Sequence, residues 1–141
     1  MLTKEKIKAK QDRKREWVAT PDWADEGATP EEVAACGVWI GSMSAGARDS
    51  YETELLERSS EDGERIDLVG IKTVLVIRTA ENEDGSRMFD DDDYSWLVSK
   101  SCIPIRDLYE VASRLNKVTK QDVDELTKNS DAGQADSSPT A

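Results

Sequence analysis

Residues 66–80, "IDLVGIKTVLVIRTA", run for fifteen positions without a turn signal, in a chain whose apolar residues are only 37% of the total. A stretch this apolar must lie inside whatever core the chain builds, so the remaining elements have to be arranged around it. Its local character is double. The β-branched run "TVLVIRT" favours a strand, whereas the uninterrupted length favours a buried helix.

At 141 residues the chain is long enough for one modest core. It divides into a structured part, 1–129, and a tail, 130–141, that lacks any large apolar residue and is expected to be disordered. No window approaches the eighteen or so apolar residues of a membrane span. The opening "MLTKEKIKAKQDRKREW" has charge but no apolar centre, which argues against a secretory signal. Cys36 and Cys102 lie far apart with no metal-type spacing and are expected as free, buried thiols. Net charge is −11, with a basic start and an acidic remainder. That balance disfavours general binding to phosphate backbones.

Helix and strand signals punctuate most of the chain. Thr3 caps a short polar helix to about Lys10, and "KREWVATPDW" reads as a strand with Trp17 and Val18 as its core, turning at Pro21. Thr29, Pro30 and Glu32 form the start of a short helix, with Gly37 suited to its end. Val38 to Met43 is a second strand that pairs with the first. Ser44 caps a helix whose Ala47, Tyr51 and Leu55 make an apolar stripe, and Asp84-Gly85 marks a turn. Ile105, Leu108, Ala112 and Leu115 share one face of the clearest amphipathic helix, and Thr119 with Asp122 caps a last one.

The run "FDDDDY", residues 89–94, invites a metal reading but fits a helix start better. With Asp90 as cap, Asp91, Asp92 and Asp93 fill the first turn, where free N–H groups and the helix dipole favour anions. Phe89 and Tyr94 then stand at the spacing of a hydrophobic staple, as Val118 and Val123 do around Thr119. Aligning Gly85 with the invariant glycine of a calcium-binding loop puts Ala80 at the first ligand position, which defeats that loop. The chain has no histidine, no phosphate-binding glycine loop and no paired-cysteine spacing. No catalytic, cofactor or metal site is therefore expected.

Several segments, taken in order, resemble the tail assembly chaperones of long-tailed bacteriophages. They are the capped start "MLTKEKIKAK"; Val18, Pro21, Asp22 and Trp23; and Ser44, Arg48, Asp49, Tyr51 and Glu52. They continue with the hairpin Glu83 to Phe89, then "YEVASRLN" and "TKQDVDEL". The chain departs from that pattern at Ala47, where the family has an acidic residue, and at 24–37, which reads as an inserted helix. The resemblance implies an α+β fold, mainly helical: a two-stranded element followed by four to five helices, with 66–80 as helix. It implies a non-catalytic protein of the host cytoplasm, absent from the mature virion. Its partners would be the tape measure protein, kept soluble while the tail tube polymerises, and tail tube protein through a longer frameshifted form. A homo-oligomer is compatible; nucleic acid and membrane are not expected. Partner contact falls to exposed or re-packable apolar residues: Trp39, Tyr51, Leu55, Trp96, Leu108, Tyr109 and Leu115, with Trp17 and Trp23 as further aromatic candidates. The rival reading is an acidic nucleic-acid mimic that blocks a basic DNA-binding protein.

Overall fold

The computed structural model describes residues 1–58, 69–119 and 121–126. Its elements are α1 (Lys4–Ala9), β1 (Arg15–Ala19), α2 (Pro30–Ala34), β2 (Gly37–Gly41), α3 (Ala45–Glu57), α4 (Ile71–Thr79), β3 (Ala80–Glu81), α5 (Tyr94–Leu97) and α6 (Cys102–Asn116). Short 3-10 turns lie at Pro21–Trp23 and Asp91–Asp93, and residues 121–126 are helical. The fold is α+β and mainly helical, as expected. The tail at 130–141 and the start of the 66–80 segment lie outside the described residues.

The sheet has three antiparallel strands in the order β1-β2-β3, one more than expected. Trp17 pairs with Trp39, and Trp39 with Glu81. Alternation gives the sheet two unlike faces. Val18, Val38, Ile40 and Ala80 point inward and are buried, packing towards α6. Arg15, Trp17, Trp39 and Glu81 share the outer face. Trp17 is thus not the core residue it resembles: Val18 takes the inward position, and its neighbour must point out, 42% exposed.

The 66–80 ambiguity resolves into both answers. Residues 71–79 are helix, and the chain then straightens at Ala80 to pair with Ile40. The β-branched residues accept a helix because Thr73, Val74, Leu75, Val76, Ile77 and Thr79 are all buried, so packing against α6, α3 and α5 outweighs local propensity. Thr79 donates its hydroxyl to the Leu75 carbonyl at 2.7 Å, which satisfies its polar atom inside the core. Gly70 starts the helix at φ 74°, and a Cβ there would collide with the Tyr94 hydroxyl. Only glycine takes both the left-handed backbone and that approach cheaply.

Helix starts follow the sequence signals closely. Thr29 and Glu32 make both halves of a capping box, and Thr119 and Asp122 exchange the same bonds. Gly37, however, does not end α2. It opens β2, where the Trp17 ring lies across it and leaves no room for a side chain. Cys36 is half-buried and Cys102 exposed, so neither is the buried thiol expected.

Candidate functional site

The aspartate run holds one side of an apolar groove in place through Trp96. Asp90 accepts the Asp92 N–H at 2.9 Å, while Asp93 Oδ2 accepts the Asp90 N–H at 2.8 Å. This is the expected capping box, built on a 3-10 turn. The second oxygen of Asp93 accepts the indole N–H of Trp96 at 2.8 Å. These two donors, the backbone N–H first, hold the Asp93 carboxyl below the usual carboxylate range. Asp91 pairs with Arg87 at 3.4 Å. The carboxylates thus serve separate donors, and among the described residues no three metal-ligating side chains converge.

The staple forms with a changed partner. Phe89 meets Trp96, not Tyr94, edge to face with centroids 5.9 Å apart. Tyr94 instead reaches Gly70, with the Arg58 guanidinium 4.0 Å from its ring centroid.

Trp23, Val38, Met88, Phe89, Trp96, Leu97 and Lys100 line the resulting groove, about 330 Å³ in volume. Its floor is the buried Val38 and Leu97, and its rim is the half-buried Trp23, Met88 and Phe89 with Trp96, 44% exposed. Each wall comes from a different place in the chain: the turn at Pro21–Trp23, the start of β2, the residues after the β3 hairpin, and α5. Three larger hollows among the described residues carry more charge on their walls. One, about 420 Å³, is bordered by Asp12, Arg13, Arg48 and Lys117; another, about 390 Å³, by Glu54, Glu57, Arg58 and Arg78; the third, about 410 Å³, by Lys72, Val98, Lys100, Ile105 and Arg106. Each sets three or more charged side chains against an apolar client, where the Trp96 groove has Lys100 alone.

Of the seven sequence-derived contact residues, Trp96 alone lines the groove. Tyr51, Leu55 and Leu108 are core residues and offer a partner no surface in this conformation. Burial pushes the Tyr51 phenol well above its usual range, with Tyr109 adding to the effect. Tyr109 is half-buried, with the Lys72 ammonium 5.4 Å from its ring centroid, and half-buried Leu115 borders the Arg48 hollow. Trp39 lies on the outer face of the sheet, where its indole N–H donates to Glu83 at 2.8 Å and Arg15 covers its ring. Val38, Met88 and Leu97 escaped the sequence reading because neither period nor spacing marks them as neighbours. Phe89 was visible as a staple, and that was the available signal.

Comparison of the chain with family models, curated proteins and solved structures gives no match. No helix among the described residues is long and apolar enough to cross a membrane.

Proposed function

We propose that the chain is a tail assembly chaperone of long-tailed bacteriophages that binds the tape measure protein and keeps it soluble while the tail tube forms. The observation that carries this reading is the open apolar groove around Trp96, set in an exterior of strongly acidic balance. A largely helical client presents apolar side chains along one face, and a groove of aromatic and aliphatic walls takes such residues as anchors. Each large aliphatic anchor contributes roughly 1.5–3 kcal/mol when fully buried, while the surrounding charge keeps the complex hydrated. The chain's part is binding and shielding, with no bond made or broken.

Co-expression with fragments of a tape measure protein tests the reading. An otherwise insoluble fragment should appear in a soluble complex, retained nearly equally at low and high salt. Trp96→Ala should release it, since the substitution removes the exposed rim while leaving the core intact. The rival acidic mimic predicts the reverse dependence, because attraction between charges is screened over about 8–10 Å at physiological salt. Retention of no fragment at either salt would refute the chaperone reading.

A further inference from the structure

The first fifteen residues are exposed throughout, yet they carry a well-marked helix. In α1 the Thr3 hydroxyl accepts the Lys6 N–H at 3.3 Å. Leu2 directly precedes this cap and Ile7 is the fourth helical residue, the spacing that brings two apolar side chains together over a first turn. Two other helix starts in the chain share that spacing, and both are packed on the body. Val118 and Val123 are buried, and Phe89 and Tyr94 are half-buried against the core. Leu2 and Ile7, by contrast, are 68% and 59% exposed. A helix of six residues gains little from its own hydrogen bonds in water, so a packing surface is needed to hold it.

The groove around Trp96 matches the arm in both chemistry and charge. Residues 1–10 carry Lys4, Lys6, Lys8 and Lys10 against Glu5, a net of 4 − 1 = +3, on a chain of −11. Exposed acids flank the groove in sequence: Asp22 and Asp25 about Trp23, and Asp90 and Asp92 after Phe89. Lys100 is the one cation among the lining residues. The arm's own groove is awkwardly placed. Arg13 Nε donates to the Ser42 carbonyl at 3.1 Å and the Lys14 N–H to the Ser42 hydroxyl at 2.7 Å, so the arm leaves beside the end of β2. The groove opens beside Val38, at the start of that strand. Reaching it within one chain requires the arm to fold back along the length of β1.

We propose that α1 of one copy docks into the Trp96 groove of a second copy, Leu2 and Ile7 entering the hollow and the lysines facing the acidic flanks. Exchanged reciprocally, two arms and two grooves close a symmetric dimer. The dimer stands independently of any client, and where a client also binds, arm and client compete for the groove.

Sedimentation of the full chain over a range of concentrations tests this. The wild type should pass from monomer to dimer, and high salt should weaken the dimer. Leu2→Glu with Ile7→Glu should weaken it by well over about 100-fold, because the reciprocal dimer loses four buried aliphatic side chains, two from each arm. Its melting temperature at low concentration should be unchanged, because Leu2 and Ile7 are exposed in the single chain. Trp96→Ala should weaken the dimer similarly. An equimolar mixture of the arm variant and the groove variant, one of them tagged, should form a mixed dimer that neither forms alone. A monomeric wild type at every concentration overturns the proposal, as does a dimer indifferent to the arm substitutions. Binding of the arm to anionic vesicles without self-association overturns it too. Client capture measured separately distinguishes these failures from failure of the chaperone reading.

Discussion

Trp17 on the outer sheet face and Trp96 in the groove are almost equally exposed, 42% and 44%, yet their surroundings differ completely. On the sheet, Trp17 and Trp39 meet edge on at 5.4 Å, and Arg15 lies 4.1 Å from the Trp39 centroid. Glu81, paired to Arg13 at 3.2 Å, fills the space over Gly41. The chain has covered this face with its own side chains. In the groove, Trp96 also bonds a carboxylate and meets a second ring, but the nearest cation, Lys100, stands 6.0 Å from its centroid and the hollow stays open. Exposure of an aromatic ring therefore does not mark a binding surface; concavity and the lack of an internal cover do.

Breaking the covered face should cost stability and leave the groove working. Gly37→Ala should have the largest effect, about 1–3 kcal/mol, because its Cβ meets the Val18 carbonyl and the Trp17 ring. Urea unfolding measures the loss, and client capture at low temperature should survive it. A neutral result would mean that the strands shift easily and that the face is less closely fitted than it looks.

Glu81→Ala should cost somewhat less, about 1 kcal/mol. It removes the carboxylate shared by Arg13 and Arg15, whose side chains are 56% and 32% exposed and can return to water. Thermal melts at low and high salt check this, with the difference from wild type shrinking as salt rises.

The smallest effect belongs to the carboxylate that holds Trp96 at the groove. The Asp93 carboxyl is held below its ordinary value of 3.8 by the Asp90 N–H and the Trp96 indole. A depressed folded-state value means that the unfolded chain binds the proton more readily. The associated stability is present above the unfolded value and is lost as pH falls through the folded one. Asp93→Asn should thus lower stability at neutral pH slightly and flatten its decline in acid below about pH 4. Parallel acid titrations of the two proteins would count against this role for Asp93.

Much of the fold was legible because helix caps are settled within four residues. Thr29 with Glu32, Asp90 with Asp93 and Thr119 with Asp122 all bond as their spacing requires. The site was legible only in fragments. Trp96 was picked out as an aromatic, but so was Trp39, and nothing local distinguishes a covered indole from an open one. Tyr51, Leu55 and Leu108 carry the apolar stripes of their helices, and the same stripe signals a core face or a client face equally well. Burial decided for the core.

The sequence by itself determined where several helices are capped, that the apolar run through 73–77 belongs inside, and that the aspartate run is a cap; each follows from groups adjacent along the chain. Tertiary structure alone decided that Ala80 and Glu81 leave the helix for the sheet, since their partners Ile40 and Trp39 stand some forty positions away. It also brought Trp23, Val38, Phe89 and Trp96 around one hollow. Capping energies are local and readable in order, whereas a groove is the space left between elements, and no residue's own chemistry encodes its neighbours across that space.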